Sequence, residues 1–126
     1  MAVKAVSPAG YPPPIAPYSP GIDTGSFVFV AGQIGSDPAT GQLADGIEAQ
    51  TEQVLRNMTA VLEAAGLSLS NVVKTTCFLA DLADFDAFNR VYATFVSDPR
   101  PARSTFQVAA LPRGARVEVE AIAFRG

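Results

Sequence analysis

The sequence predicts an α+β domain built on a single mixed sheet, with two helices packed on one face of that sheet. Three observations support this prediction. Short segments rich in β-branched and aromatic residues indicate strands, two longer segments show the apolar spacing of helices, and these elements follow one another in the order β-β-α-β-α-β-β. A chain of 126 residues without an internal repeat or a long linker suits one domain, residues 1–126.

Prolines concentrate near the start of the chain, where residues 1–20 hold six of the ten. Because proline lacks a backbone donor and fixes φ, residues 1–16 are expected to form an extended arm, with at most a short edge strand over residues 18–22. Residues 27–31 form a continuous apolar run and are predicted to be a strand covered on both faces. The turn residues 23–26 between these strands indicate a hairpin.

A first helix is predicted over residues 47–65, because its apolar residues recur at helical spacing. Asp45 is expected to cap its start, Glu48 completes a capping-box-like signal three residues later, and Gly66 is expected to end it. The apolar stripe of this helix is expected to pack into the core.

A strand and a second helix follow. Residues 72–80 are rich in β-branched side chains and predict a strand. The next helix is expected to be capped by Asp81 or Asp84 and to continue to about residue 96. Its apolar face consists of Phe85, Phe88, Tyr92 and Phe95.

The last two predicted strands, residues 105–110 and 115–124, flank the Pro/Gly turn signal of residues 111–114, and this spacing predicts a hairpin. Side chains alternate across a strand, so one face of the hairpin would be apolar and the other polar. The apolar face would consist of Phe106, Val108, Ala110, Val117, Val119 and Ala121. The polar face would consist of Arg103, Thr105, Gln107, Arg116, Glu118 and Glu120.

The polar face of this hairpin has the groups of a reaction site. A guanidinium can bind a carboxylate through two parallel hydrogen bonds, and a nearby glutamate can orient a water molecule. Antiparallel sheets also often have a wet face on which Arg/Glu pairs are ordinary solvated charge, and the spacing alone favours this second interpretation.

The composition excludes several kinds of chemistry. The chain has no histidine and one cysteine, Cys77, so the usual zinc sites, Ser-His-Asp triads and Cys-His pairs are excluded, and no metal or cofactor is expected. Cys77 is interpreted as a core residue, and a lone cysteine fits a reducing, cytoplasmic compartment. The net charge of −3 and the lack of a Lys/Arg cluster argue against nucleic-acid binding. Neither a signal peptide nor a membrane segment is expected.

Seven stretches resemble, in the same order, those of the reactive intermediate deaminases, also called the RidA family or imine deaminases. They cover nearly the whole chain beyond about residue 15. The stretches are APYS (16–19), VAGQI (30–34), LEAAGL (62–67), VKTT (73–76), DLADF (81–85), PARS (101–104) and VEVEAIA (117–123).

The resemblance implies both an assembly and an activity. The assembly is a homotrimer whose sheets line a central barrel-like core, with sites at the subunit interfaces. The activity is hydrolysis of 2-enamine or 2-imine acids, such as 2-aminoacrylate and 2-iminobutanoate, to 2-keto acids and ammonia. By the same resemblance Arg103 binds the substrate carboxylate, Glu118 orients the water, and Tyr18 belongs to the catalytic set. The substrate-binding positions that it implies are Arg103, Gly32, Asn89 and Thr105.

Three departures from the family pattern border the implied site. The connection before Pro101 is a few residues shorter, Arg100 stands where an aromatic or apolar residue is common, and Thr105 stands where a cysteine is frequent. The sequence therefore leaves the wall of the pocket and the preferred side chain of the imine open. The added positive charge of Arg100 would favour a more acidic substrate.

Other functions remain compatible with the sequence. One is a related deaminase for another enamine acid, such as an aminomuconate, which would share Arg103. A second is a non-catalytic ligand-binding or regulatory trimer, against which the presence of Arg103 and Glu118 argues. A third is a ribonuclease or translation inhibitor, which the acidic charge balance and the absence of histidine disfavour. The physiological imine, its pathway and any partner protein stay undetermined.

Overall fold

A six-stranded mixed sheet runs through the molecule, and both helices lie on one of its faces. The computed structural model describes residues 2–126. The sheet order is β1-β2-β3-β6-β4-β5, and among these pairs only β4 and β5 run parallel. The predicted α+β class is therefore confirmed. In chain order the elements are β1 (Lys4–Val6), β2 (Gly21–Asp23), β3 (Phe27–Ile34), α1 (Ile47–Ala64), β4 (Val72–Leu79), α2 (Phe85–Phe95), β5 (Ala102–Gln107) and β6 (Val117–Phe124).

The N-terminal arm contributes a strand that the sequence analysis did not predict. β1 pairs antiparallel with β2, and Val6 is buried there. β2 itself begins at Gly21, later than the expected start at residue 18. The prolines at positions 12 to 14 lie in the connection between these strands, so the missing donors of proline do not interrupt either ladder. The sheet therefore has six strands where five were expected.

Helix α1 starts without the cap that was expected for it. Gly46 takes the N-cap position with φ of 89°, and no side chain caps the helix, so the predicted role of Asp45 and the capping box are wrong. Glycine adopts this left-handed backbone conformation at little cost, which fits the turn into α1. The second helix agrees better with its prediction. The Asp81 carboxylate accepts a hydrogen bond from the Ala83 amide and caps a short 3₁₀ turn that leads into α2.

The predicted C-terminal hairpin does not form. β5 pairs only with β4, in parallel, whereas β6 crosses over to lie between β3 and β4. The physical reason is burial. The helix-facing side of β6, which includes Val117 and Val119, is fully covered, and a central place under the helices achieves this. β5 has a largely polar sequence and no buried residue, which suits the edge of a sheet.

The face of the sheet away from the helices, here called the open face, carries a group of exposed aromatic side chains. Strand β3 was expected to be covered on both sides, but it buries only Val28 and Val30 on the helix side. The open face is rich in phenylalanines that are 38–45% exposed: Phe27, Phe29, Phe106 and Phe124. Neither helix is long and apolar enough to cross a membrane within residues 2–126.

Candidate active site

Arg103 and Thr105 lie on the side of β5 that faces the helices. Arg103 pairs in register with the buried Thr75, and Thr105 pairs with the buried Cys77. Paired residues of neighbouring strands point to the same side of a sheet, and Cys77 is on the core side of β4. Phe106, which was expected in the core, is instead exposed on the open face.

The Arg103 guanidinium rests against three aromatic rings of α2. Its central carbon, Cζ, lies 5.0 Å from the ring centre of Tyr92, 5.5 Å from that of Phe88 and 5.7 Å from that of Phe85. These distances are in the range of cation–π contacts. Within residues 2–126, no acidic side chain forms an ion pair with Arg103. The positive charge is therefore positioned but not neutralised, so it can receive an anion.

Asn89 and Thr105 complete what we call the arginine half-site, which consists of Arg103, Thr105 and Asn89. Asn89 is four residues after Phe85, so it lies on the same face of α2 as the rings that contact Arg103. The Thr105 hydroxyl oxygen is buried and has no hydrogen-bond partner in the described part of the chain. The sequence predicts an apolar face on α2 but no contact between that face and Arg103. Its contact with Arg103 depends on the strand pairing of β5, for which the sequence carries no local signal.

Glu118 lies on the open face of β6, next to Gly32. A Cβ atom added at Gly32 would overlap the Glu118 carboxylate, so the close approach requires glycine there. The pairing of β3 with β6 shifts register between Val30 and Gln33. This irregularity is a β-bulge, a feature that commonly redirects side chains beside functional sites.

The pKa of the Glu118 carboxyl is raised in the folded protein. Partial burial raises its pKa above the ordinary value of 4.5, and the negative charge of Glu120 raises the pKa further. A carboxylate with a raised pKa accepts a proton more readily, which suits a general base. Glu120, its neighbour on the same face, is exposed.

Tyr18 is exposed and lies two residues before Pro20, whose carbonyl is hydrogen-bonded to β3. The Ala31 amide donates to the Pro20 carbonyl over 2.9 Å, and this bond holds the segment that carries Tyr18 beside that strand. We call Tyr18, Gly32 and Glu118 the carboxylate half-site. A concavity of about 420 Å³ opens nearby on the open face. Its polar lining includes Ser19, Lys74, Thr76 and Glu120.

The two half-sites do not meet within one chain. The hairpin prediction placed Arg103 and Glu118 on one polar face, and this is wrong. Arg103 faces the helices from the edge strand, whereas Glu118 points to the opposite side of the sheet from a central strand. Residues 2–126 also contain no group of three or more Cys, Asp or Glu side chains arranged to hold a metal ion.

Comparisons with known proteins identify the family. The 2-iminobutanoate/2-iminopropanoate deaminase of Mus musculus is 45% identical over 124 residues, which cover 98% of this chain and 92% of that protein. RidA of a Psychrobacter species is 43% identical with a TM-score of 0.92, covering 96% of this chain and 98% of that one. E. coli TdcF, solved with bound serine, is 41% identical with a TM-score of 0.91, covering 98% and 99%.

A family model described as Endoribonuclease L-PSP matches residues 9–125. This match and the relatives above confirm the predicted resemblance to the RidA proteins. The chain belongs to the Endoribonuclease L-PSP family.

Proposed function

We propose that this protein is a hydrolytic deaminase that converts 2-imine or 2-enamine acids, such as 2-iminobutanoate and 2-aminoacrylate, to 2-keto acids and ammonia. The observation that carries the proposal is the Arg103 guanidinium, which is fixed against aromatic rings and has no acidic partner in the described part of the chain. The name of the mouse relative, which is 45% identical over nearly the whole chain, supports the same reaction.

Substrate binding follows from the charge of Arg103. Its planar guanidinium can hold a carboxylate through two parallel, charge-assisted hydrogen bonds, each contributing about 1.5–3 kcal/mol. We assign further contacts to the Thr105 hydroxyl and the Asn89 amide, which lie on the same side of the sheet. These contacts would fix C2 of the imine relative to the attacking water.

Hydrolysis needs only a base and a positioned water molecule, because a protonated imine is already electrophilic. Water attacks C2 while the Glu118 carboxylate accepts one of its protons, which gives a carbon bearing both a hydroxyl and an amino group. Glu118 then returns the proton to the nitrogen. The hydroxyl oxygen forms the keto carbonyl and loses its proton as the C–N bond breaks, so an iminium and water yield a keto acid and an ammonium ion. An enamine acid would first tautomerise to the imine.

A homotrimer would bring the two half-sites together. The arginine half-site of one subunit would face the carboxylate half-site of the next, and such head-to-tail contacts close into a ring. The phenylalanines of the open face support this arrangement, since exposed apolar patches of this kind mark interaction surfaces. The open faces would then line the barrel-like core that the family resemblance implies. Tyr18 and Gly32 would reach the substrate from the neighbouring subunit. The proposed reaction uses no metal or cofactor, and we expect it to take place in the cytoplasm.

One alternative has a specific observation behind it. The crystal structure of E. coli TdcF contains bound serine, an amino acid with a free carboxylate. A non-catalytic trimer that binds small carboxylates would use the same guanidinium. The family description also names an endoribonuclease, but the chain carries a net charge of −3 and no histidine. A deaminase for a different enamine acid would share every residue proposed above and differ only in its substrate.

Imine hydrolysis tests the proposal directly. An amino-acid oxidase would generate imines from several L-amino acids, and semicarbazide would trap them as semicarbazones. We expect wild-type protein to suppress semicarbazone formation and the Arg103→Ala variant not to. Arg90→Ala is the matched control, because Arg90 is an exposed arginine of α2 with only a long contact to Glu48. No suppression by well-folded wild type with any amino acid would favour the ligand-binding alternative.

A further inference from the structure

Arg103 differs from Arg116, Arg125 and Arg56 in the groups that contact its guanidinium. The Arg116 guanidinium binds the Asp84 carboxylate at 2.8 Å, and Arg125 and Arg56 also have carboxylate partners. Arg103 has ring faces in place of a carboxylate. A carboxylate partner would have to be displaced before a substrate carboxylate could bind, whereas rings fix the guanidinium and leave its charge available.

The rings are themselves firmly placed. Tyr92 is buried, its ring packs at 5.4 Å from that of Phe88, and its hydroxyl is 2.8 Å from the Thr75 hydroxyl. Thr75 is buried and pairs in register with Arg103, so one hydrogen bond ties α2 to the strand beside the arginine. The Phe85 ring centre lies 5.7 Å from Arg103 Cζ, and the residue is 37% exposed.

Two ionisable groups that interact with the charge of Arg103, the Tyr92 phenol and the Cys77 thiol, stay neutral. Burial raises the pKa of the Tyr92 phenol and that of the Cys77 thiol above their ordinary values of 10.0 and 9.0. Both groups are therefore protonated near pH 7, and neither offsets the charge of Arg103. A substrate carboxylate would be the first negative charge to reach the guanidinium.

We propose that Phe85 and Tyr92 are positioning residues, which hold the Arg103 guanidinium in place for a substrate carboxylate through their ring faces. This inference rests on the proposed function, because it assigns Arg103 to carboxylate binding. Neither ring takes part in the chemistry. They act by restricting the arginine side chain, whose freedom would otherwise be lost at the moment of binding.

Phe85 is the better residue to change, because it is partly exposed and Tyr92 belongs to the core. The test compares Phe85→Leu with Phe85→Tyr, which keeps the ring. Phe95→Leu is the matched control, since Phe95 lies on the same helix and packs against the core, whereas the rings at cation–π distance from Arg103 are those of Phe85, Phe88 and Tyr92. Isothermal titration calorimetry with 2-oxobutanoate, a 2-keto acid, measures the Kd for a carboxylate ligand without catalysis. Steady-state kinetics with 2-iminobutanoate separate KM from kcat.

We expect Phe85→Leu to raise both the Kd for 2-oxobutanoate and the KM by three- to tenfold, with kcat within twofold of wild type. Phe85→Tyr and Phe95→Leu should stay within twofold in every parameter. Equal binding by Phe85→Leu and wild type would overturn the inference, and so would equal losses in Phe85→Leu and Phe85→Tyr. Wild type that does not bind 2-oxobutanoate would overturn it as well. Binding by wild type without imine hydrolysis would refute the proposed reaction and leave the titration series as the test of the positioning role.

Discussion

Strand β6 has a hydrogen-bonded neighbour on both sides, whereas β5 has one on a single side. β6 buries every second residue beneath the helices, and β5 buries none completely. Each strand carries one of the two groups on which the proposed reaction depends. Glu118 projects from the centre of the sheet to the open face, and Arg103 projects from the edge to the helix side.

The two groups are also held by different means. Backbone geometry places Glu118, through the bulge in β3 and the missing side chain at Gly32. Side-chain packing places Arg103, through the rings of α2. Each strand therefore carries one part of the proposed site, and the position of each part depends on a different feature of the fold.

Subunit mixing tests whether Arg103 of one subunit and Glu118 of another form one site, and it has the largest expected effect. Arg103→Ala and Glu118→Gln should each lose nearly all deaminase activity as homo-oligomers. If the two chains are co-expressed in equal amounts, some sites combine an intact arginine half-site from one chain with an intact carboxylate half-site from the other. Random assembly into a closed ring gives such sites at about one in four, so we expect about one quarter of wild-type activity, measured by the semicarbazone assay.

Separately purified variants, combined without subunit exchange, are the control and should remain inactive. If the co-expressed chains also remained inactive, while native mass spectrometry showed mixed trimers, the half-sites of different subunits would not cooperate. A monomer by light scattering would remove the interfacial site altogether.

Exchange of a single carboxyl group tests which glutamate of β6 acts as the general base. We expect Glu118→Gln to lower kcat about a hundredfold, as loss of a general base does. Glu120→Gln is the matched control, because Glu120 is the next residue on the same face and is exposed. A large loss in Glu120→Gln with an active Glu118→Gln would reverse the assignment.

The same pair of variants gives a stability prediction. Folding raises the pKa of Glu118, so the folded state binds its proton more tightly than the unfolded state, and stability falls as pH rises from about 4.5 through the folded-state pKa. Glu118→Gln removes this term. Its free energy of unfolding, relative to wild type, should therefore increase as pH rises across that range, as urea denaturation at several pH values would measure. Glu120→Gln should show a smaller pH-dependent difference.

The smallest expected effect concerns the Thr105 hydroxyl. Thr105→Val replaces a buried hydroxyl that lacks a partner with a methyl group of similar shape, so the free energy of unfolding should stay equal or rise by up to about 1 kcal/mol. If the hydroxyl binds substrate, the Kd for 2-oxobutanoate should rise severalfold. Thr105→Ser keeps the hydroxyl and should bind like wild type. An unchanged Kd in Thr105→Val would remove Thr105 from the site.

Features decided by local burial could be predicted from the sequence. The periodicity of α1 and α2 located both helices, and the alternation of β6 identified its buried and open faces, including Glu118 on the open one. Each of these features depends on which side chains must leave water, and the order of residues records that directly.

Strand partnership could not be predicted in the same way. A Pro/Gly turn between β5 and β6 suggested a hairpin, but the need to bury both edges of β6 outweighed the closeness of the two strands in the chain. Because of that one error, Arg103 was predicted on the same face as Glu118, whereas it lies on the opposite side of the sheet. β1 was missed because three residues give too short a pattern. The predicted N-cap of α1 is wrong by one residue, because aspartate is a common N-cap and Asp45 directly precedes Gly46, which takes that position.

The crossover of β6 has a consequence for how the domain folds. β6 follows the other strands and both helices in the chain, yet it occupies the middle of the sheet and joins β3 to β4. Before β6 pairs, no hydrogen-bonded ladder joins the β1-β2-β3 ribbon to the β4-β5 pair. The apolar face of α1 also lacks the central strand against which it packs. The sheet can therefore close only once β6 has paired with both neighbours, so folding is expected to be governed by sequence-distant contacts.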